Sequence, residues 1–506
     1  MKLGSLFTMI FMNKRKINFG FLYQNHLSLK LLGLPFLLLF TILNFSAKAQ
    51  EISVITSTEE SKWVEDSDFI VGSKKWNSKT TIQVFPDRQF QEIDGFGGCF
   101  NELGWEALLA LPEKEREKVM QDLFSPKGAN FNICRMPIGA SDYALSYYSF
   151  DDVPEDFTMR DFNIDRDRYI MIPYIKEALK VKKDLKIWGS PWSPPAWMKV
   201  NNHYTLKAGN IQGKFLGGNE MDPRKNILNS ATAFRMEEGY LAAYALYFSK
   251  YVQAYQNEGI NIASVQVQNE IAYSPQWPSC TWRAEDIAYF IKEHLGPRFE
   301  ADSLETELWL GTINSGRPEY VKTVLDNADA AKYIKGIGFQ WGGKNAIGAI
   351  SKEYPSYRYM QTESECGNGE KNWSSAEHTW DLLYHYLVRG ANSYMYWNMI
   401  LDSSGKSSWG WPQNSLISIN KDTKEVEYTP EFFLMKHLSH FVLLGAKRVD
   451  VSNPDNVLAF ENTDGTIVII LANKSTEDRV EVLAVKDKII NLSLKPKSFN
   501  TITLRP

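Results

Sequence analysis

The chain has 506 residues, of which 44% are hydrophobic and 23% are charged, a composition typical of folded globular proteins. Its 56 basic and 60 acidic residues give a formal net charge of −4. This balance argues against a nucleic-acid-binding protein and gives no sign of an acidic disordered tail. Length alone does not fix the number of domains, because a single (β/α)8 barrel can occupy about 200 to more than 400 residues.

Residues 1–49 have the features of a secretory signal peptide. A basic stretch at 13–16 precedes an apolar run over 31–45, and an A-x-A pattern ends at Ala49. We predict cleavage after Ala49 and a mature protein that is secreted, periplasmic or on the cell surface. The apolar run is short for a bilayer, so no stable membrane span is expected after cleavage; a retained anchor is the alternative.

Between about residue 90 and residue 400, short apolar segments alternate with amphipathic helical patterns. Several segments are almost continuously apolar, as expected for parallel strands buried on both faces. Eight such strands separated by helices are what a closed (β/α)8 TIM barrel requires, so we predict an α/β fold with the barrel over residues 86–444. The predicted strands cover residues 92–100, 131–137, 185–190, 263–269, 308–312, 334–341, 358–363 and 393–398.

Punctuating residues set the predicted helix boundaries. Ser375 is expected to cap a helix that reaches residue 389, and Thr429 with Pro430 is expected to start a final helix that ends near residue 441. A long polar excursion, residues 198–238, separates the third strand from its helix. Loops of this length in compact domains are usually lids or walls of a site.

After Gly445 the pattern changes from helical to alternating. Residues 457–485 contain period-2 strands around an Asp464-Gly465 turn, and residues 492–494 and 501–504 are further strand candidates. We predict that residues 445–506 form a small antiparallel β-sandwich domain. Strands from the N-terminal segment 50–85 are expected to complete it.

The four cysteines include no C-x-x-C pair, so we predict buried free thiols and no zinc site. The sequence contains neither H-E-x-x-H nor G-x-S-x-G, which argues against a metalloprotease or a serine hydrolase. No metal and no cofactor is expected.

Two carboxylates fall at predicted strand ends, where barrel enzymes carry their catalytic groups. Glu270 ends strand four and Glu363 ends strand seven. Glycoside hydrolysis uses such a pair: one group protonates the leaving oxygen, and the other attacks the anomeric carbon or activates water. Glu365 is a competing position for the second role, whereas Glu102 and Glu319 are interpreted as structural.

Four short motifs stand at or near predicted strands: FGG at 96–98, SPWSPPAW at 190–197, SVQVQNE at 264–270 and TESE at 362–365. Together they resemble glycoside hydrolase family 30, which includes glucosylceramidases and microbial β-1,6-glucanases. The resemblance covers essentially the whole mature chain and implies a retaining enzyme, with carboxyl groups about 5–5.5 Å apart. It also implies that Glu270, which follows Asn, is the acid/base and that Glu363, which follows Thr, is the nucleophile.

The resemblance also implies residues that bind the sugar or support the glutamates. Asn269 can hold the 2-hydroxyl of the sugar, a contact that strengthens in the transition state. Arg135 is expected to help keep Glu363 ionised, and Gln340 is expected to lie beside it. The implied substrate-binding residues are Asp142, Trp192, Asn269, Trp341 and Trp397.

One departure from the family pattern bears on the substrate. Residues 340–343 read Gln-Trp-Gly-Gly, where glucosylceramidase-like sequences have His-Trp-Tyr. The Gln-Trp form resembles the corresponding motif of β-1,6-glucanase-like members of the family. This resemblance favours an endo-β-1,6-glucanase acting on a β-glucan or β-glucoside. The alternatives are a glucosylceramidase, another β-glycosidase of the family, or a non-catalytic carbohydrate-binding barrel.

Overall fold

The computed structural model describes residues 52–72, 81–209 and 219–505. The predicted signal peptide and its cleavage point lie outside the described residues. Within those residues, no helix is long and apolar enough to cross a membrane.

Strands and helices are numbered in chain order. The strands are β1 (Ile52–Thr58), β2 (Val64–Asp66), β3 (Phe69–Gly72), β4 (Thr81–Glu92), β5 (Gly95–Cys99), β6 (Ile133–Pro137), β7 (Lys186–Ser190), β8 (Ile262–Gln266), β9 (Glu307–Ile313), β10 (Ile334–Gln340), β11 (Arg358–Glu363), β12 (Ser393–Asn398), β13 (Ile400–Asp402), β14 (Ile417–Ile419), β15 (Val426–Tyr428), β16 (Lys447–Val451), β17 (Val457–Glu461), β18 (Ile467–Asn473), β19 (Arg479–Val485), β20 (Lys488–Leu494) and β21 (Ser498–Leu504). The α-helices are α1 (Glu102–Leu109), α2 (Glu113–Phe124), α3 (Asp165–Tyr169), α4 (Met171–Val181), α5 (Glu238–Asn257), α6 (Ala284–Phe290), α7 (Gly296–Ala301), α8 (Pro318–Leu325), α9 (Ala328–Ala331), α10 (Ile347–Glu353), α11 (Trp373–Leu387) and α12 (Pro430–Ser439).

Strands β5 to β12 form a closed parallel barrel in chain order, with β12 paired to β5. The predicted TIM barrel is therefore confirmed. Helices cover the outside of the strands and form one large core with them. A separate cluster from five barrel strands has the character of inward-facing barrel residues. Its members are Ile133, Trp188, Trp309, Met360 and Met395.

The first predicted barrel strand, residues 92–100, starts later in the structure. Glu92 is the last residue of β4 in the sandwich sheet, and the barrel strand β5 begins only at Gly95. Gly95 has a φ of 135°, and a Cβ atom on it would lie 1.9 Å from Oδ1 of Asn132. Only glycine fits this bend, by which the chain passes from one domain into the other.

A ten-stranded sheet forms the second domain, in the order β2-β1-β21-β18-β17-β16-β4-β19-β20-β3. The predicted sandwich, built from the C-terminal segment and N-terminal strands, is thereby confirmed. Its pairs are antiparallel except for β4 with β19, which is parallel. Buried aliphatic side chains such as Ile469, Leu483 and Ile502 form its separate core.

Helix boundaries follow the predicted pattern closely, with one correction. Thr429 caps α12, its side chain accepting a hydrogen bond from the backbone N–H of Phe432. The predicted cap Ser375 instead lies inside α11, and Asn372 caps that helix by accepting a bond from the backbone N–H of Ser375. Asn and Ser are about equally good caps, so composition alone did not distinguish them.

The four cysteines are buried free thiols, as predicted.

Candidate active site

The C-terminal ends of the barrel strands converge on one cavity of about 1010 Å³. Five of the predicted residues line this cavity. They are Asp142, Trp192, Glu270, Trp341 and Glu363. The other four predicted residues, Arg135, Asn269, Gln340 and Trp397, are almost fully buried behind them.

Glu363, the last residue of β11, is bound by three donors. Arg135 Nη1 lies 2.9 Å from its Oε2, Gln340 Nε2 lies 3.2 Å from the same oxygen, and Trp341 Nε1 lies 3.0 Å from Oε1. Burial raises the pKa of Glu363, and the charge of Arg135 together with these hydrogen bonds opposes that rise. Hydrogen-bond donors and a nearby positive charge stabilise a carboxylate, so these contacts favour the ionised form of Glu363.

Arg135 connects Glu363 with Asn269, the neighbour of Glu270. Besides Glu363 it binds Oδ1 of Asn269 at 2.6 Å and Oγ of Ser190 at 2.9 Å. Its guanidinium carbon lies 4.3 Å from the ring centroid of Trp192. A fully buried guanidinium that is paired, hydrogen-bonded and stacked on an aromatic ring has little freedom to move.

Asn269 has a fixed amide orientation. Its Oδ1 accepts from Arg135, from Thr312 Oγ1 at 3.0 Å and from Gln340 Nε2 at 3.2 Å. Its Nδ2 therefore supplies the donor hydrogens of this side chain. The predicted strand 263–269 ends early, since β8 stops at Gln266, but Asn269 still forms an isolated parallel bridge with Thr312.

Glu270 adopts a left-handed backbone conformation with a φ of 49°. Its N–H donates to Thr312 Oγ1 at 3.0 Å. Burial and the neighbouring charge of Glu363 raise the pKa of Glu270 to about 8, against the lowering effect of Gln340, Arg135 and Asn314. Non-glycine residues in this conformation are uncommon and concentrate at functional sites.

Glu365 turns away from the cavity and pairs with other residues. It forms an ion pair with Lys344, and His378 Nε2 lies 3.5 Å from its Oε2. Burial alone would raise the pKa of Glu365, but hydrogen bonds to His378 and Lys344 outweigh it and lower the pKa. Glu365 is not among the residues that line the cavity.

Two buried polar atoms, one on a lining residue of the cavity and one on a residue behind it, lack partners. Oδ1 of Asp142 and Nε1 of Trp397 have no hydrogen-bond partner among the described residues. Trp397 stacks behind Trp192 with ring centroids 5.1 Å apart. Burial, followed by the charges of Glu363 and Glu270, raises the pKa of Asp142 well above its ordinary value. Buried polar groups usually have hydrogen-bond partners, so these two atoms are available to bind polar groups that enter the site.

Aromatic and amide side chains on the cavity wall were not predicted from the sequence. They lie on loops that follow strand ends: Trp277 is on the loop that begins at Glu270, and Trp411 is on the loop between β13 and β14. A signal was present in the second case, since Trp409-Gly410-Trp411-Pro412 follows a barrel strand closely. The unpredicted lining residues are Ala272, Tyr273, Trp277, Asn314, Gly367, Asn368, Lys406, Trp411, Pro412 and Gln413.

None of the described residues of the excursion 198–238 lines this cavity, although a loop of this length was expected to form a lid or wall of a site. Asn202, Tyr204 and Arg235 instead line a second cavity of about 620 Å³. Among the described residues, no group of three or more His, Cys, Asp and Glu side chains is arranged to hold a metal ion.

Comparison with known sequences identifies the family. The profile of the glycosyl hydrolase family 30 TIM-barrel domain matches residues 93–442, and that of the family 30 beta sandwich domain matches residues 445–502. Putative glucosylceramidase 1 of Caenorhabditis elegans is 31% identical over 437 residues, which cover 80% of this chain and 79% of that protein. The chain therefore belongs to glycoside hydrolase family 30 and is a glycoside hydrolase.

Other relatives have different activities in their names. Lysosomal acid glucosylceramidase of Mus musculus is 26% identical over 83% of this chain and 82% of its own length. The endo-1,6-beta-D-glucanase of Neurospora crassa is also 26% identical, over 78% of this chain and 82% of its own length. These identities are equal, so they do not separate the two substrates.

Solved structures share the fold. SrfJ from Salmonella typhimurium superposes with a TM-score of 0.79 at 24% identity, covering 90% of this chain and 100% of that one. A solved endo-beta1,6-glucanase superposes with a TM-score of 0.75 at 23% identity, with the same coverage.

Proposed function

We propose that this protein is a retaining β-glycosidase in which Glu363 is the nucleophile and Glu270 the acid/base. The proposal rests on one observation: two carboxyl groups in the same cavity have different hydrogen-bond partners and different pKa shifts. Three donors bind Glu363 and favour its charge, whereas Glu270 has a pKa of about 8 and holds a proton near neutral pH. Pairs of carboxyl groups whose environments separate their pKa values divide acid and nucleophile roles in this way.

The two steps follow from these protonation states. In the first, Oε of Glu363 attacks the anomeric carbon while the proton of Glu270 moves to the glycosidic oxygen, and the leaving alcohol departs. In the second, the ionised Glu270 takes a proton from water as that water attacks the same carbon and displaces Glu363. The configuration at the anomeric carbon is inverted twice and so retained. Nδ2 of Asn269 is the proposed donor to the 2-hydroxyl.

The unpartnered polar atoms support a sugar at the base of the cavity. Asp142 Oδ1 and Trp397 Nε1 together offer an acceptor and a donor for adjacent hydroxyl groups. Trp192, which is almost fully buried, lines the same cavity as Asp142, Glu270 and Glu363. We assign these three side chains to the sugar whose anomeric carbon reacts.

For the substrate we propose a β-1,6-linked glucan, cleaved internally. Gln340 occupies the first position of the strand-six motif, and its amide binds both Asn269 and Glu363. A Cβ atom on Gly342 would lie 2.7 Å from the carbonyl oxygen of Asn314, so this backbone does not accommodate a tyrosine there. Glucosylceramide is the second candidate, because relatives named as putative glucosylceramidases reach 31% identity.

Product analysis tests both parts of the proposal. The purified protein is incubated with β-1,3-, β-1,4- and β-1,6-glucans and with glucosylceramide, and the products are sized by chromatography. We expect short oligosaccharides from the β-1,6-glucan alone, with the β-anomer appearing first in the proton NMR spectrum. Release of glucose from glucosylceramide without cleavage of any glucan contradicts the substrate assignment. Appearance of the α-anomer first contradicts the retaining mechanism, and binding without turnover favours the non-catalytic alternative.

A further inference from the structure

A row of six aromatic side chains, here called the aromatic ridge, runs from the catalytic cavity to the second cavity. All six are at least partly exposed. Successive ring centroids lie 5.9, 5.3, 6.3, 5.1 and 5.4 Å apart. In order, the ridge consists of Tyr273, Trp277, Trp411, Trp409, Tyr147 and Tyr204.

The two ends of the ridge belong to different cavities. Tyr273, Trp277 and Trp411 line the catalytic cavity. Tyr204 lines the second cavity together with Trp197, whose indole is bound to a backbone carbonyl. Neither Trp409 nor Tyr147 is among the lining residues of either cavity, so these two rings bridge the space between them.

Partial exposure distinguishes the ridge from core packing. Buried aromatic clusters elsewhere, such as Phe150 with Tyr247, are closed off from solvent. The polar tips of three ridge residues are held in place: Trp409 Nε1 donates to Tyr147 Oη at 3.0 Å, and Tyr204 is hydrogen-bonded to Asp152. These bonds and the packing of each ring on its neighbours leave the exposed parts of the rings as rigid, amphipathic surfaces with little conformational entropy to lose on binding.

The ridge begins next to the acid/base. The N–H of Tyr273 donates to the carbonyl oxygen of Glu270 at 3.2 Å, so the first ring lies within one turn of the residue that protonates the leaving group. Lys406 and Gln413 line the catalytic cavity together with Trp411 and add hydrogen-bonding groups to its wall. Flat apolar faces bordered by polar groups fit sugar rings, which have C–H faces and hydroxyl edges, better than they fit an alkyl chain.

We propose that the aromatic ridge binds the leaving-side chain of a polymeric β-glucan and so determines specificity for long substrates. The inference rests on the proposed glucanase function. Binding energy from sugar units remote from the reacting bond then contributes to catalysis on polymers but not on small glucosides. Each ring is needed only by substrates long enough to reach it.

Length dependence tests the proposal. The efficiencies kcat/KM of Trp411→Ala and Trp409→Ala are compared with the unaltered protein on an aryl β-glucoside and on β-1,6-gluco-oligosaccharides of increasing length. We expect the ratio of efficiency on the longest oligosaccharide to that on the aryl glucoside to fall about tenfold, chiefly through KM. Trp409→Ala should show this loss only with longer oligosaccharides than those that reveal the Trp411→Ala loss. Trp409→Phe, which keeps a ring, should recover part of it.

Tyr169→Ala is the matched control, because Tyr169 is 82% exposed and lies outside both cavities. If a ridge variant loses kcat/KM equally on the aryl glucoside and on every oligosaccharide, the ridge is only structural and the proposal is overturned. An unchanged dependence of kcat/KM on oligosaccharide length also overturns it. If the unaltered protein cleaves the aryl glucoside but no β-1,6-oligosaccharide, the proposed glucanase linkage is wrong. In that case the same variants are compared on oligosaccharides of the β-glucan that the protein does cleave, and the length dependence there tests the role of the ridge. Hydrolysis of glucosylceramide alone overturns the proposed role of the ridge.

Discussion

Two glutamates two positions apart, Glu363 and Glu365, have opposite surroundings. The first faces the cavity and is bound by Arg135, Gln340 and Trp341, whereas the second is neutralised by Lys344 and His378 outside it. The strand β11 ends at Glu363, so the alternation of side chains along the strand no longer determines where Glu365 points. The ambiguity that the sequence leaves at this motif is therefore one of backbone path.

Chemical rescue distinguishes these two glutamates. We expect Glu363→Ala to lower kcat by about 10⁴-fold or more, because the covalent step loses its nucleophile. Sodium azide should restore part of the activity by entering the space left by the carboxylate, and it should give a glycosyl azide of inverted configuration. Glu365→Ala is the matched control and should keep most of the activity with no response to azide. Azide rescue of Glu365→Ala in place of Glu363→Ala would refute the assignment.

The protonation of Glu270 predicts the alkaline limb of the activity profile. Its raised pKa of about 8 means that Glu270 carries the required proton below that pH and loses it as the pH rises through it. We expect kcat/KM to fall above about pH 8, and to fall on the acid side as Glu363 becomes protonated. The two limbs report the coupled pair and not either residue alone. Glu270→Gln should lose the alkaline limb on substrates whose leaving groups need no proton; an unchanged limb argues against this role.

Among the elements, strands and helices were predictable because their hydrophobic periods are local, whereas their ends depend on tertiary contacts. All eight barrel strands were predicted, yet β8 stops before Asn269, where Arg135 and Thr312 replace the ladder as partners. The loop residues of the cavity wall were not predicted, since side chains such as Trp277 and Trp411 come together only through the barrel. No periodicity marks such residues.

The start of α11 gives a test at this scale. Asn372 Oδ1 accepts from the backbone N–H of Ser375 at 3.1 Å, so we expect Asn372→Ala to lower the free energy of unfolding by about 1 kcal/mol. Ser375→Ala removes a hydroxyl that donates to Asn372 Oδ1 at 3.1 Å but keeps the backbone N–H bond of the cap, so it should cost less. Urea titrations followed by circular dichroism measure both. A larger loss of unfolding free energy for Ser375→Ala than for Asn372→Ala would indicate that Ser375 is the cap, as the sequence predicts.

On the scale of the whole molecule, His437 joins the barrel to the sandwich. It lies on α12, is fully buried, and its ring nitrogens contact Ser57 Oγ at 2.9 Å and Thr501 Oγ1 at 2.8 Å, on β1 and β21. Burial, with the nearby charge of Lys436, lowers the pKa of His437 from 6.5 to about 3. The folded protein thus keeps this ring neutral under conditions in which an unfolded chain would protonate it.

This difference makes stability depend on pH. Below pH 6.5 His437 binds a proton in the unfolded state but not in the folded state. Its contribution to stability is therefore present above pH 6.5 and is lost as the pH falls towards 3. We expect a loss approaching about 1.4 kcal/mol for each pH unit in that window. The free energy of unfolding of His437→Gln, measured by urea titration across the window, should decline less steeply than that of the unaltered protein. Parallel declines would contradict the prediction.

Because β1 pairs with β21, the first strand of the sandwich is synthesised long before its partner. Ile52 pairs with Leu504, so one partner leaves the ribosome hundreds of residues before the other. At synthesis rates of about 5 to 20 residues per second, β1 waits roughly half a minute or longer with an unpaired edge. The barrel can form during this wait, but the sandwich cannot be completed until translation reaches β21. A nascent chain stalled inside the last domain would therefore expose a strand edge that chaperones can recognise and that other chains can pair with.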